Sequence, residues 1–313
     1  HNTFQADDAN IVLPTLTSKG YVWPFPAGSG KVLNPNFGRL SVTLWDSSSN
    51  YNGLAVRITK RLSHGFQIEG SYTWAKEIDT SSGAGYSDPY NNSITSLFFF
   101  DPRLRRGLSD LDVRHNLTLN YLWTIPSPQS LSGVAGWVTR GWQWGGILTL
   151  ASGTPFTPLV GPDPLGLNSS DPFAYPDRVN GPGCGSAVNP GNVNNYIKLQ
   201  CFAMPPSQGV SGNPPVQNFT LLGNSGRNVL IGPGLATFDM SLYKNNPIKR
   251  ISESFNVQFR AEFFNIFNHP NFVSPIDNGT LFNPDGTSVG GAGLIDATKT
   301  SAREIQFGVK VIW

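Results

Sequence analysis

The stretch Arg303-Glu-Ile-Gln-Phe-Gly-Val-Lys-Val-Ile-Trp313 alternates between apolar and polar residues. In an extended strand one face carries Ile305, Phe307, Val309, Val311 and Trp313, and the other carries Glu304, Gln306, Gly308 and Lys310. At the edge of a soluble sheet such a strand would expose unpaired backbone groups and an apolar surface, which favours aggregation. A closed barrel pairs every edge, so the pattern predicts a barrel strand.

The same alternation occurs in seven further segments, at residues 39–45, 52–62, 65–76, 113–123, 142–150, 235–244 and 255–263. Most of them approach the roughly 9–11 residues that a tilted strand needs to cross a bilayer. The sequence therefore predicts an all-β fold, an antiparallel up-and-down transmembrane β-barrel that is partial, with about eight long strands. We assign residues 1–36 to a loop and partial-strand segment and 37–313 to the barrel.

The predicted connections alternate between short and long. Short ones cover 63–64, about 126–136 and 245–252, whereas long ones cover 77–112, 151–234 and 265–302. Outer-membrane barrels have short periplasmic turns and longer extracellular loops. We therefore expect a bacterial outer-membrane location, long extracellular loops, and Trp313 at the periplasmic end.

Composition agrees with this class of protein. Charged residues make up 13% of the chain, and the mean hydropathy is −0.19. Barrel strands place only every second residue in lipid, so their mean hydropathy stays near zero, whereas a transmembrane helix needs a long apolar run. The net charge of +2, without a clustered basic segment, excludes nucleic acid as an expected partner.

The two faces of the predicted strands carry different residue types. Aromatic pairs near strand ends predict girdles at the membrane–water boundaries: Tyr72, Trp74, Tyr121, Trp123, Trp142 and Trp144. The alternative is that aromatic residues simply favour strands. Polar residues in the other phase are expected to face the lumen: Arg57, Arg61, Arg114, Arg260 and Glu262. The alternative for them is a solvated face.

Few residues suit catalysis or metal binding. Cys184 and Cys201 favour a loop disulfide in an oxidising compartment, and the alternative is two unpaired thiols. The four histidines (His1, His64, His115 and His269) lack partners at metal-ligand spacing. Asp163, Asp171 and Asp177 fit ordinary turns better than a calcium site. No nucleophile elbow is present, so we expect no enzyme activity, no catalytic residue, no metal and no cofactor.

Ordered motifs then indicate a family. They are Asn50-Tyr-Asn-Gly-Leu54, Lys60-Arg-Leu-Ser-His-Gly65, Ser71-Tyr-Thr-Trp-Ala-Lys76, Asp112-Val-Arg-His-Asn116, Gly153-Thr-Pro-Phe156, Gly223-Asn-Ser-Gly-Arg-Asn228 and Phe263-Phe-Asn-Ile-Phe-Asn-His-Pro270. From about Asn50 to Trp313 the chain resembles the C-terminal β-barrel portion of Oar-like TonB-dependent outer-membrane transporters. The chain begins at His1 without a signal peptide, and we expect a fragment of such a protein.

The resemblance implies a plugged barrel of about twenty-two strands that takes up an unknown substrate with energy from the inner membrane. It implies contact with outer-membrane lipid and with the TonB system through an N-terminal region that this chain lacks. It also implies that the barrel assembly machinery reads the C-terminal strand, through Phe307, Val309, Val311 and Trp313.

Two other functions remain open on the sequence. One is a small closed outer-membrane barrel whose long loops act as an adhesin or receptor. The other is a soluble carbohydrate-binding β-sandwich, in which Trp74, Trp123 and Trp144 would lie in a core or groove.

Overall fold

The fold is seen in a computed structural model, which describes residues 2–6, 9–18, 20–25, 29–38, 40, 42–82, 99–128, 130–161, 174–205, 222–276 and 279–313. Its central feature is one antiparallel sheet in which long strands follow each other in chain order. Those strands are β1 (Ser49–Ser63), β2 (Phe66–Asp79), β3 (His115–Thr124), β4 (Trp142–Ala151), β5 (Leu235–Pro247), β6 (Asn256–Phe264) and β7 (Glu304–Ile312).

Each long strand pairs antiparallel with the next one along the chain, so the predicted up-and-down β-fold is confirmed. Within the described part of the chain, β1 and β7 each have a long neighbour on one side only, and the barrel is not closed. A two-residue strand, Gly107–Leu108, pairs with the end of β2. The short turns and the long connections lie at opposite ends of the sheet, as predicted.

The strand predicted at 39–45 does not join this sheet. The structure has a strand at Val42–Ser47 that pairs with Asn2–Ala6 in a separate two-stranded sheet, while residues 39 and 41 are outside the described part. The reason is the early start of β1, because only Ser48 separates the two strands. One residue is too short for a hairpin connection. The sheet therefore holds seven long strands and the two-residue strand Gly107–Leu108, and only the assignment of the segment 39–45 to this sheet was wrong. The division of the chain at residue 36 stays a prediction.

The first hairpin is longer than predicted. The turn residues His64 and Gly65 both have positive φ angles, 52° and 76°, as a two-residue hairpin turn requires. From this turn the pairing of β1 with β2 runs to Ser49 and Asp79, beyond the predicted bounds of 52–62 and 65–76. Trp74 consequently lies inside β2 rather than near its end.

The remaining elements are short. The other strands are Thr15–Thr17, Gly20–Val22, Pro155–Phe156, Leu159–Val160, Asp177–Arg178, Phe202–Ala203, Leu230–Ile231 and Thr280–Phe282. The helices are α1 (Pro102–Arg105) and α2 (Gly133–Thr139), with 3-10 turns at Val193–Asn195 and Leu199–Cys201. Within the described ranges, every helix falls short of the length and apolar character needed to cross a membrane.

The principal buried apolar cluster lies in the long connections. It consists of Phe156, Val160, Ala174, Cys184, Tyr196, Ile197, Cys201, Phe202, Leu230, Leu281 and Phe282. These residues belong to the connections 152–234 and 265–303, whose described parts pack together in a unit that we term the loop cap. The sheet itself has little such core: Ala75 and Ala261 are its buried apolar residues in the described part. Its stability therefore rests on strand pairing and on what covers its faces.

Two glycines in the sheet make room for neighbouring side chains. A Cβ added at Gly146 would lie 2.8 Å from ring atoms of Tyr121, and one added at Gly70 would lie 2.5 Å from Leu119 Cδ2. A glycine inside a strand weakens that strand unless another group approaches closely. Here the approaching group is a large side chain from β3 in both cases.

We expect Gly146→Ala to destabilise the folded sheet by about 1–3 kcal/mol, the usual cost of overpacking. The Tyr121 ring would have to leave its position over β4. Gly308→Ala is the matched control, because a Cβ there meets nothing within 4 Å. Urea unfolding in lipid vesicles, followed by heat-modifiable gel mobility, measures both variants. Equal midpoints for the two would contradict the packing role of Gly146.

Candidate functional site: the two faces of the wall and the loop cap

The pairing register places residues of the same polarity opposite each other across neighbouring strands of the sheet. Val56, Tyr72, Leu117, Leu150 and Ala236 form one row of partners on what we term the apolar face. Many of its side chains are exposed in the chain alone: Leu54, Val56, Ile58, Leu62, Trp74, Leu150, Phe259, Ile305, Phe307, Val309 and Val311. A contiguous apolar surface of this extent marks a contact with lipid or with another protein.

The next row of partners is polar and defines the polar face: Arg57, Ser71, Thr118, Thr149 and Thr237. Both faces therefore keep one character over five strands. This requires a fixed register, since a slip by one residue would exchange the two faces of a strand.

Four of the predicted girdle residues lie close together at the short-turn end of the apolar face. The Trp144 ring meets Tyr121 edge-on at 5.7 Å between centroids and lies 6.3 Å from Trp123. Trp142 Nε1 donates a hydrogen bond to the Val138 carbonyl of α2 at 2.7 Å. Amphipathic rings with a polar atom bonded at one end suit a membrane–water boundary.

The other two predicted girdle residues lie on β2, nearer the loop cap. The Tyr72 hydroxyl and His115 Nδ1 are 2.8 Å apart, and their rings stack. Trp74 is the register partner of His115 and is 51% exposed. His115, the first residue of β3, thus belongs to this aromatic group. The sequence was searched for histidine only as a metal ligand, so this stacking contact was not predicted.

A ladder of polar side chains crosses four strands of the polar face at the short-turn end. Arg260 Nε donates to Gln258 Oε1 at 2.7 Å, and Gln258 Nε2 donates to Asn245 Oδ1 at 2.9 Å. Asn245 Nδ2 donates to Gln143 Oε1 at 3.2 Å, and Gln143 Nε2 donates to Thr124 Oγ1 at 3.3 Å. The ladder satisfies these groups within the wall, which stiffens it.

The structure does not bring the five predicted lumen residues together. Arg57 of β1 pairs with Glu69 of β2, far along the sheet from Arg260. Glu262 accepts a hydrogen bond from the Tyr243 hydroxyl at 3.5 Å. Arg114 lies one residue before β3, 3.6 Å from Asp112, and Arg61 lies in the irregular pairing between Lys60 and Ser63. These five residues thus make separate contacts in the structure.

A hollow of about 280 Å³ lies beside the glycine pair of β4. Its polar lining includes Asn120, Asp239, Ser241 and Glu262. Asp239 accepts the backbone N–H of Asn265 at 2.8 Å and therefore has acceptor capacity left. The carboxylates of Asp239 and Glu262 can therefore bind a cationic or hydrogen-donating group that approaches the polar face of the sheet.

The loop cap is tied to the sheet by a buried ionic cluster. The guanidinium of Arg227, 0% exposed, contacts Asp79 at the end of β2 and lies 3.4 Å from Asp110. It also donates to the Arg105 carbonyl at 3.2 Å. Next to it, Asn228 Nδ2 donates to the Leu108 carbonyl at 2.7 Å. A buried guanidinium needs such carboxylate partners, because desolvation alone would expel it.

The motif Gly223–Asn228 therefore positions Arg227 in this buried cluster. Gly226 and Asn228 have positive φ angles of 83° and 54°, which turn the chain sharply on both sides of the arginine. A Cβ on Gly107 would lie 2.6 Å from the Arg227 carbonyl oxygen. The sequence indicated this motif by resemblance only. In the sequence, an arginine between a glycine and an asparagine indicated that this residue could be held in a tight turn. We did not use this pattern to predict a buried ionic anchor.

The two cysteines are joined in the structure as a Cys184–Cys201 disulfide inside the loop cap. Arg178 donates from Nη1 to the Cys201 carbonyl at 2.8 Å and from Nη2 to the Cys184 carbonyl at 2.6 Å. One guanidinium thus fixes both ends of the bridge. Nearby, burial raises the pKa of Tyr196 to about 12, and its hydroxyl donates to the Ile231 carbonyl at 2.9 Å.

The N-terminal segment also contacts the first long connection. The Tyr21 hydroxyl donates to Asp101 at 2.6 Å. The Arg103 guanidinium beside Asp101 lowers the pKa of that carboxyl to about 2, despite its burial. The carboxylate is therefore ionised at all ordinary pH values and stays available as an acceptor for the tyrosine.

Metal binding finds no support in the described residues, where no cluster of three or more histidine, cysteine or acidic side chains occurs. Asp163, Asp171 and His1 lie outside the described residues. Asp177 lies in the short strand Asp177–Arg178 and accepts the Asn224 backbone N–H at 2.9 Å, a contact between distant parts of the loop cap. His64 lies in the β1–β2 turn, and His269 follows β6.

Comparison with known families decides the class. A family model described as "Outer membrane beta barrel domain" matches residues 1–306. The chain belongs to this outer-membrane β-barrel domain family. A search of curated proteins and a search of solved structures gave no match. The barrel domain resides in the bacterial outer membrane.

The location predicts an orientation for the two faces. Outer-membrane barrels carry apolar residues on the lipid side and polar residues on the interior side, so we expect the apolar face of the barrel domain toward lipid and the polar face toward the interior of the barrel. The soluble sandwich alternative is wrong, because the long strands form one sheet, Trp74 is exposed on its apolar face, and the family is an outer-membrane one. Outer-membrane barrels have short turns on the periplasmic side and long loops on the outer side, so we expect the short-turn end to face the periplasm and the loop cap to face outward.

We expect Arg227→Met to detach the loop cap of the barrel domain from β2. Removing one partner of a buried ion cluster costs about 3–5 kcal/mol, since the carboxylates of Asp79 and Asp110 stay buried. Arg303→Met is the control, because it removes the same charge from an exposed site. Protease treatment of intact cells measures the effect: the cap of the Arg227 variant should be cleaved much faster, and unchanged cleavage would contradict the anchoring role.

Proposed function

We propose that this chain forms part of the wall of a plugged, TonB-dependent transporter of the Oar-like type, which takes up a substrate across the outer membrane with energy from the inner membrane. The observation that carries the proposal is that, within the described part of the chain, β1 and β7 each have a long neighbouring strand on one side only. Single-chain outer-membrane barrels have at least eight strands, and seven long strands that leave both edges open call for further strands.

The polar face supports a plugged interior. In a water-filled pore, water can hydrogen-bond the polar side chains of the wall. Against a plug, these side chains must find partners in the wall itself or in the plug. The ladder from Arg260 to Thr124 satisfies its groups inside the wall, while the hollow at Asp239 and Glu262 keeps acceptors directed inward. The combination fits a rigid wall with a local docking place for a donor group of the plug.

In this mechanism the chain binds the substrate and guides it through the barrel, and it performs no catalytic step. The plug rearranges when force from the TonB system reaches it through an upstream segment. The loop cap contacts the substrate first and determines specificity. The ionic cluster at Arg227 holds the cap on the wall, and the disulfide preserves its shape outside the cell. During biogenesis the barrel assembly machinery reads the C-terminal strand.

The second candidate is a small closed barrel that acts as an adhesin or receptor. The observation in its favour is the loop cap, which has its own buried core and a disulfide, as an independent binding surface would. The two candidates differ in the neighbours of β1 and β7. In the small barrel these two strands pair with each other, in parallel because both run toward the short-turn end, and in the transporter other strands separate them.

Cysteine cross-linking in outer membranes distinguishes the candidates. The native cysteines are bonded to each other, so introduced cysteines react alone. Thr59→Cys is combined in turn with a cysteine at Gln306, Gly308 or Lys310, all on the polar face. The proposal predicts no cross-link in any pair. Ala55→Cys with Thr73→Cys, which are register partners, is the positive control. Efficient linkage of Thr59 to β7 would overturn the transporter.

Labelling of the hollow tests energy coupling. Ser241→Cys in cells with the natural gene context should react slowly with a membrane-impermeant maleimide, because the plug covers it. Active energy coupling should raise the rate severalfold over cells treated with an uncoupler. Asn194→Cys in the exposed cap is the control and should react equally under both conditions. Equal rates for Ser241→Cys would contradict a plug that moves with energy.

A further inference from the structure

An open groove lies at the periplasmic end of the wall, between α2 and the turn that joins β5 to β6. It has a volume of about 590 Å³. Its apolar lining includes Trp137 of α2, Ile248 of the turn and Val257 of β6, and its rim carries Lys249 and Arg250. A groove with one apolar side and a cationic rim matches an amphiphile with a negative head group.

The turn presents the two cations outward. The Ile251 N–H donates to the Ile248 carbonyl at 3.0 Å, which places Lys249 and Arg250 at the two central positions of a β-turn. Both residues are exposed. Glu253 belongs to the same connection but does not line the groove. The rim therefore carries positive charge without an acidic residue in the lining.

Helix α2 is held against the apolar face of the wall. Lys244 Nζ lies 5.2 Å from the centroid of the Trp137 ring and 6.0 Å from that of Trp142. Trp142 and Lys244 are register partners on the apolar face. Trp142 also donates to the Val138 carbonyl of the helix. The groove is thus on the lipid side of the wall and is continuous with the surface that contacts the membrane.

The outer side of α2 is apolar. Val134 is 77% exposed, Trp137 62% and Val138 49%. Apolar residues with a tryptophan on a helix beside the membrane surface are typical of an interfacial helix, which lies at the level of the head groups. The head groups at this level belong to the periplasmic leaflet, which consists of phospholipid.

We propose that this groove binds an anionic phospholipid of the periplasmic leaflet. The phosphate lies between Lys249 and Arg250, since basic pockets beside membrane-spanning elements recognise anionic head groups. The first carbons of the acyl chains pack against Trp137, Ile248 and Val257. The bound lipid fills the space between α2 and the β5–β6 turn and fixes the wall at the level of the periplasmic head groups. This proposal does not depend on transport.

The test uses the purified full chain in zwitterionic detergent, with phosphatidylglycerol and phosphatidylcholine of identical acyl chains in equal amounts. Native mass spectrometry measures which lipid is retained. With two cations at the head group, phosphatidylglycerol should be preferred about 10- to 30-fold at low salt. The double variant K249Q/R250Q should lose this preference. K299Q/R303Q removes two exposed charges at the extracellular end and should keep it.

Other results overturn the proposal. Equal loss in both double variants would indicate a general charge effect, and no loss in K249Q/R250Q would place the lipid elsewhere. Displacement of phosphatidylglycerol by millimolar inorganic phosphate would indicate a free-anion site. If K249Q/R250Q fails to show heat-modifiable folding, Trp137→Ser decides. It should keep the head-group preference but lose the preference for long-chain over dioctanoyl phosphatidylglycerol, and an unchanged chain-length preference contradicts acyl contact in the groove.

Discussion

Backbone hydrogen bonding in lipid is the constraint on which this structure depends. Within the hydrocarbon an unpaired N–H or C=O costs several kcal/mol, so strands can cross it only beside paired neighbours. The seven long strands pair in chain order and satisfy each other's backbone groups. Within the described part of the chain, the outer edges of β1 and β7 lack a long neighbouring strand. These two strand edges are the reason for proposing that the chain belongs to a larger barrel.

The side chains follow from the same pairing. A fixed register places apolar groups on one face and polar groups on the other over the width of the sheet, and Gly70 and Gly146 let large side chains of β3 lie flat against their neighbours. The wall has little buried apolar core of its own in the described part. We therefore expect lipid on one side and the barrel interior on the other to supply the burial that a soluble domain would obtain from a second layer. The loop cap instead has a conventional core, a disulfide and a buried arginine.

Much of the wall could be predicted from the sequence, because alternation with a period of two is a local property. The strands at β3, β4, β5, β6 and β7 lie within a few residues of their predicted bounds. The strand at Val42–Ser47 was assigned to the wrong sheet, since alternation does not identify the partner of a strand. The ionic cluster at Arg227 was missed for a related reason: its members come from the end of β2 and from two long connections. Asp79 and Arg227 are 148 residues apart, and no periodic pattern connects them.

These elements combine into an outer-membrane wall with separate tasks at its two ends. We propose that the loop cap meets the outside medium, while the short-turn end carries aromatic side chains, the polar ladder and the groove that we propose for lipid. The central claim is that successive residues of a strand face lipid and interior in turn. The most direct measurement is a spin-label accessibility scan of single cysteines at residues 256–264 of β6, with the protein in phospholipid vesicles. The account predicts high oxygen accessibility at 257, 259, 261 and 263 and low values at the residues between them, whereas a uniform profile or the opposite phase would contradict it.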